Sequence, residues 1–287
     1  MHQKTLLRFK DRTIDLTNET IIMGILNLSP DSPVNRSVVS PENALERAYQ
    51  LQNEGATIID VGGNSTSSHA LPISTEEEIA RVIPAIEKLV QEGFLVSLDS
   101  WNPSVARKAA EIGVHLLNDV NGLQNDEMAA VAKDYQLPVC IMHMRGEPKK
   151  HYEVDQSYSN ITNEIRDWFD NRLAELQSKG IKRENIILDP GFEFGKKMTD
   201  NLKLLSSLQL FKDFNLPILV SASRKAFIAE AIGLGRTQKG EGLLEATLAV
   251  QTISSYLGAD ILRVHDVKSA SYVVKFVNEL KKVNKKD

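Results

Sequence analysis

The sequence predicts an α/β fold, a (β/α)8 TIM barrel preceded by a short N-terminal β-hairpin. Three observations lead there. Eight short apolar runs alternate with helical segments, which implies a parallel sheet with helical crossovers. The 287 residues are enough for eight such units and show no linker-like shift in composition, so the chain reads as one domain, 1–287, with its core at about 21–281. Each run ends on polar residues or glycine. A barrel draws its site from the carboxyl end of nearly every strand, whereas an open doubly wound sheet gathers ligand groups near one switch point.

Taken in order, Leu6-Leu7-Arg8-Phe9 and Thr13-Ile14-Asp15-Leu16 flank Lys10-Asp11-Arg12 as a hairpin. Ile21 to Leu28 is the first strong strand, broken by Ser29-Pro30-Asp31-Ser32-Pro33 and a polar loop to Ser40. Ser40-Pro41-Glu42 starts a helix with a capping serine, a first-position proline and an acid; it runs to about Glu54 and stops at Gly55. Thr57 to Val61 is strand two. Ser74-Thr75-Glu76-Glu77-Glu78 opens the next helix in the manner of a capping box, and Gly93 ends it. Phe94 to Asp99 is strand three, with a helix from Asn102-Pro103 to Gly113. Val114 to Asn118 is strand four, followed by a short helix, Asn125 to Tyr135. Pro138 to Met142 is strand five, ending on His143.

The polar stretch Arg145 to Asp155 reads as a mobile excursion ahead of a long amphipathic helix ending at Lys179-Gly180. Strand six, Ile186-Ile187-Leu188-Asp189, stops on a carboxylate and is turned by Pro190-Gly191. Asn201 to Ser207 is helical, and Leu216 to Val220 is strand seven. Helices at 225–232 and 242–257 are split by a glycine-rich loop. Ile261 to His265 is strand eight, and a last helix spans about Val267 to Lys281.

The composition is that of a globular protein, 42% apolar and 25% charged, with net charge −4 and dispersed positive charge. That argues against a nucleic-acid or anionic-membrane surface; the basic stretch 281–286 reads as a solvated helix end. No run approaches a membrane span and Met1 to Arg12 lacks a signal-peptide core, so the expectation is a cytoplasmic protein. Cys140, the one cysteine, sits in an apolar run and reads as a packing residue.

The strand ends carry the chemistry. Asp99, Asn118 and Asp189 offer acceptor oxygens suited to a flat heterocycle with an amidine-like edge, and Lys225 adds a donor for a ring carbonyl. Arg263 and His265 alternate on strand eight and so face one side. With Asn27 and Thr66 they make an anion site, where Asn27 can reach a Mg²⁺ held mainly by phosphate oxygens. For each residue there is a plainer alternative: a carboxylate capping a helix or paired with Lys225, Arg263 paired with Asp260 or Asp266, His265 as a core histidine. The histidines show neither HxH nor HExxH spacing, which argues against catalytic zinc.

Several segments together resemble the dihydropteroate synthase family of pterin-binding enzymes. These are Met23-Gly24-Ile25-Leu26-Asn27 with Ser29-Pro30-Asp31-Ser32, and Gly55 to Gly63 with Ser65-Thr66. Leu117-Asn118-Asp119, Met142-His143-Met144, Asp189-Pro190-Gly191-Phe192, Phe194-Gly195-Lys196, Ser223-Arg224-Lys225 and Arg263-Val264-His265-Asp266-Val267 follow in order. The match spans roughly 21–270. It implies a condensation in folate synthesis: 6-hydroxymethyl-7,8-dihydropterin diphosphate binds deep in the barrel, pyrophosphate leaves, and the amine of p-aminobenzoate attacks the methylene. It implies that Asp99, Asn118, Asp189 and Lys225 hold the pterin, with Phe194 also in the substrate site. By the same resemblance Asn27 touches Mg²⁺, while Thr66, Arg263 and His265 touch the diphosphate. Lys225, Arg263 and Asp99 would carry catalysis, in a homodimer formed through the last helices.

The departures from the family pattern are concentrated in two loops. Where Phe-Ser-Asp-Gly-Gly is usual, Pro33-Val34-Asn35-Arg36-Ser37 stands. Where Glu-Ser-Thr-Arg-Pro-Gly is usual, Asn64-Ser65-Thr66-Ser67-Ser68-His69 stands without the arginine, whose charge Arg36 could replace. Ser221 and Glu193 take places usually held by glycine, and Ala226 that of a serine. Three readings follow: dihydropteroate synthesis with a changed acceptor site, use of another aromatic amine, or a paralogue that binds pterin with little condensation. A pterin-binding methyl carrier or regulatory module on the same barrel is the alternative from another class.

Overall fold

A computed structural model describes residues 5–17, 19–31, 34, 38–67, 70–237 and 239–283. Pro33, Asn35, Arg36, Ser37, Ser68 and His69, and the tail beyond residue 283, lie outside the described residues, and with them the suggested role of Arg36.

Strands β1 (Leu6–Arg8) and β2 (Thr13–Asp15) form the antiparallel hairpin, Leu7 opposite Ile14. The barrel follows: β3 (Ile21–Asn27), β4 (Ile58–Gly62), β5 (Val96–Asp99), β6 (Leu116–Asp119), β7 (Val139–Met142), β8 (Ile186–Asp189), β9 (Leu219–Val220) and β10 (Ile261–Val264). The eight strands pair in parallel in the order β8-β7-β6-β5-β4-β3-β10-β9. The ring closes between β8 and β9 by one bridge, Leu188 to Ile218, with the Leu188 N–H on the Pro217 carbonyl at 2.9 Å. The seam is thin for a local reason. Strand seven was expected over Leu216 to Val220, but Pro217 has no N–H to give a ladder, and regular pairing is confined to Leu219–Val220.

The helices are α1 (Ala44–Glu54), α2 (Thr75–Gln91), α3 (Pro103–Ile112), α4 (Asp126–Asp134), α5 (Ile161–Ser178), α6 (Met198–Ser206), α7 (Ala226–Ala231), α8 (Leu243–Tyr256) and α9 (Val267–Val283). The Ser40-Pro41 start differs from expectation. Pro41–Asn43 winds as a 3-10 turn, and the Ser40 side chain bonds the Glu42 carboxylate instead of capping. At α2 half of the capping box forms. Ser74 Oγ accepts the Glu77 N–H at 3.1 Å, but the Glu77 carboxylate turns to Arg81 at 2.5 Å. Helix α6 begins three residues before the expected Asn201, and a 3-10 segment, Leu208–Phe214, follows it.

Two apolar layers result. One lies between strands and helices, with Leu26, Val61, Leu98, Leu117, Ile141 and Leu188 facing outward onto α1–α8 side chains such as Leu51, Ile86, Phe169 and Phe227. The other fills the barrel's amino-terminal end, where Ile21, Met23, Ile58, Leu95, Leu116, Cys140, Ile187, Leu219 and Ile261 meet Leu7, Phe9 and Leu16 of the hairpin. The hairpin is thus a plug, and the site must lie at the other end. Among the described residues no helix is long and apolar enough to cross a membrane.

Candidate active site

At the carboxyl end a cavity of about 840 Å³ opens, lined by Asn27, Thr66, Asp99, Phe194, Lys225, Arg263 and His265 among others. These seven of the nine expected site residues come together. Asn118 and Asp189 are buried and do not line it. The reason is local in each case. The Asn118 amide donates to Asp60 Oδ2 at 3.3 Å, and Asp189 Oδ1 turns to accept the Gly191 N–H at 2.7 Å. His143, at the end of β7, is also buried in the wall, edge-on to Trp168. The expectation that all eight strand ends converge therefore holds for five; β7 and β8 reach the cavity only through their loops, and neither β6 nor the loop after it lines it.

The floor is an ion network. Arg263 Nε bonds Asp60 Oδ2 at 2.6 Å, its Nη2 bonds Asp99 Oδ2 at 2.5 Å, and its Nη1 lies 3.4 Å from Ser221 Oγ. Asp260 and Asp266, the expected alternatives, are taken by Lys212 at 2.9 Å and Arg224 at 2.7 Å. Burial pushes the Asp99 carboxyl above the usual carboxylate range; Arg263 opposes this and Asp60 adds to it. Burial likewise raises Asp189 to about 6, with the Gly191 N–H and Lys225 pulling it down. Burial lowers the Lys225 ammonium, against Glu193 and Asp189, and its Nζ sits 4.4 Å from the Phe194 ring centre. Burial, with Arg263 next, holds His265 neutral at about 3, and its Nδ1 has no partner among the described residues.

The loop after β8 is shaped by glycine and lysine. A Cβ on Gly191, at φ +72°, would stand 1.9 Å from the His143 carbonyl; one on Gly195, at φ +68°, would stand 2.6 Å from that of Arg145. No other residue fits at either position. Lys196 is fully buried and donates to the carbonyls of Gly191, Phe194 and His143 at 2.7, 3.0 and 3.2 Å. It is a staple for the loop that presents Phe194 rather than a cavity group. Glu193 also lies at positive φ, +82°, a conformation that costs a side-chain-bearing residue about 1–2 kcal/mol.

The stretch 145–155, expected to be a mobile excursion, is pinned. Arg145 stacks over Tyr158 at 3.7 Å and bonds Glu164 at 2.8 Å, while His151 is 1% exposed and packs on Phe194.

Sequence reasoning missed Asp60, His151, Tyr152, Ser223 and Arg236 as parts of the site. Asp60 had a signal, a carboxylate inside a buried parallel strand, which requires a partner. The others sit in irregular loops where no period marks them. Asn64, in place of the family's usual acid, leans on Glu78 at 3.4 Å, so a carboxylate from α2 stands behind that loop.

A magnesium ion fits this arrangement in one way. Among the described residues there is no cluster of three or more His, Cys, Asp or Glu able to hold a metal. Asn27 offers one cavity-lining amide oxygen, which spends one lone pair on the Ser29 N–H at 3.0 Å and keeps the other. Mg²⁺ is commonly held by one or two protein oxygens plus substrate phosphate, so the donor set suits an ion that arrives with a diphosphate.

Fold and floor together are those of a barrel enzyme whose cavity presents carboxylate, ammonium and guanidinium groups at the carboxyl ends of its strands. The family model described as "Pterin binding enzyme" matches residues 23–265, and the chain belongs to that family. It is 38% identical over 270 residues to the dihydropteroate synthase of Escherichia coli strain K12, covering 92% of this chain and 93% of that one. Among solved structures it is similar to a Yersinia pestis dihydropteroate synthase in complex with a sulfonamide drug, at a TM-score of 0.88 and 33% identity over 97% of this chain and 100% of that one. It is also similar to the Xanthomonas albilineans dihydropteroate synthase with 4-aminobenzoic acid, at 0.86 and 30% over 97% and 99%.

Proposed function

We propose that the chain condenses 6-hydroxymethyl-7,8-dihydropterin diphosphate with p-aminobenzoate to give dihydropteroate and pyrophosphate, a step of folate synthesis. The observation that carries this is the meeting of Asp99, Lys225 and Arg263 with Asn27, Thr66 and His265 around one cavity, in a chain of this family. Asp99 accepts N–H groups of the pterin edge, and Lys225 donates to the ring. Asn118 and Asp189 act one layer behind, Asn118 orienting Asp60 and Asp189 lending its field to Lys225. Phe194 gives the ring an apolar wall. Thr66, His265 and Arg263 border the diphosphate arm. As the carbon–oxygen bond breaks, its electrons pass to pyrophosphate, and Arg263 stabilises that charge. Mg²⁺ bound at Asn27 would supply further charge neutralisation there. The amine nitrogen then bonds the methylene and loses a proton. No covalent enzyme nucleophile is needed.

A coupled pyrophosphate-release assay with and without p-aminobenzoate tests the reading; release that no arylamine stimulates would refute it. Omitting Mg²⁺ should lower the rate, and Asn27→Ala should raise the Mg²⁺ concentration required.

The exposed apolar side chains Ile253 and Tyr256 on α8 with Tyr272, Phe276 and Leu280 on α9 support a homodimer through these adjacent helices. Light scattering of the parent chain and of Phe276→Glu tests it. One buried thiol and no disulfide accord with work in the cytoplasm.

A further inference from the structure

The loop side of the cavity holds a carboxylate that belongs to the chain. Glu193 is 2% exposed yet borders the cavity, in the positive-φ conformation described above. It is held there on every side. Its N–H bonds Asn201 Oδ1 at 2.7 Å, its Oε2 accepts the Phe227 N–H at 3.0 Å, and its Oε1 accepts Arg236 Nη2 at 2.5 Å. The Tyr152 hydroxyl bonds to the same pair. Arg236 Nη1 is spent on a second acid, Glu230, at 3.0 Å.

We propose that Glu193, paired with Arg236, sets the charge sensitivity of the acceptor subsite, weakening its hold on the carboxylate of p-aminobenzoate relative to an uncharged group of the same shape. The inference rests on the condensation proposed above. With the pterin on the strand-end floor, the arylamine must lie on the loop side with its amine inward. In the proposed pose the group para to the amine faces Tyr152, Glu193 and Arg236, which line the cavity together. A cradle of guanidinium, phenol and amide N–H is what a carboxylate on that ring would use, and Glu193 already fills it. A second carboxylate meets a like charge in a sheltered site, beside a guanidinium that two acids have neutralised. A neutral amide at the same position meets no such penalty.

The test compares p-aminobenzoate with p-aminobenzamide, which has nearly the same shape and no charge. In Glu193→Gln, KM for p-aminobenzoate should fall on the order of tenfold relative to that for the amide. Arg236→Met, which leaves Glu193 uncompensated, should move the ratio the opposite way. Dissociation constants of the two acceptors, measured by calorimetry with pyrophosphate present, should show the same shifts whether or not turnover occurs. A general packing role for Glu193 would change both acceptors alike. Equal changes for the two, or a rise in the benzoate constant in Glu193→Gln, would overturn the assignment. Loss of pyrophosphate release in the parent chain, with the binding ratio still shifting, would refute the condensation alone.

Discussion

At the amino-terminal end of the barrel, Ile21, Ile58, Leu95, Leu116 and Ile261 turn inward under Leu7, Phe9 and Leu16 of the hairpin and pack as one apolar cluster. A few residues further along the same strands, Asn27, Asp60, Asp99 and Arg263 share one ion network or line one cavity. The difference shows how a single parallel sheet separates stability from chemistry. The closed end gains from removing apolar surface from water and needs no partner-by-partner matching. The open end keeps Asp60, Asp99, Asp189 and Arg263 because each has a counter-charge or N–H donor within hydrogen-bond reach, so these residues stand or fall as a set.

The sharpest way to break this contrast is Arg263→Ala. It strands Asp60 and Asp99 in a sheltered floor and should cost about 3–5 kcal/mol in urea unfolding while abolishing measurable condensation. Leu7→Ala, at the plug, should cost about 2–4 kcal/mol and leave kcat unchanged. A parallel loss of kcat there would mean the two ends are not independent. Lys225→Ala should weaken the pterin diphosphate by about 10–100-fold, read by calorimetry, with little loss of melting temperature because its burial already disfavours the charge. Unchanged affinity would remove Lys225 from the pocket.

The smallest effect is pH-linked. Asp189 titrates at about 6 in the fold. A carboxyl raised above its unfolded value favours the fold while protonated, and that advantage is lost as pH rises from about 4 through 6. Asp189→Asn should therefore flatten the stability–pH curve in that window by on the order of 1–2 kcal/mol, measured by unfolding at each pH. In the parent chain, kcat/KM for the pterin substrate should fall as pH drops through about 6 and the carboxylate next to Lys225 is neutralised.

The position of Asn27, Asp99, Lys225, Arg263 and His265 at the cavity was legible because parallel strands entering a barrel leave their polar tips at one face. Asn118 and Asp189 stand behind the cavity wall, since a polar tip can turn aside when a turn N–H or a neighbouring carboxylate offers a closer partner. Arg236 and Tyr152 carried no periodic signal at all. Their places in the cavity wall come from loops whose course depends on contacts tens of residues away.

The order of apolar runs, their helix-stopping glycines and their hydrophilic tips determined the barrel, its leading hairpin and the polar residues at its strand ends, because local propensity and the period of burial are written residue by residue. Which carboxylate holds Arg263, that Pro217 thins the seam, and that Glu193 closes onto Arg236 were decided only in three dimensions. Ion pairing and steric fit are properties of distances between residues far apart in the chain, and no local pattern encodes those distances.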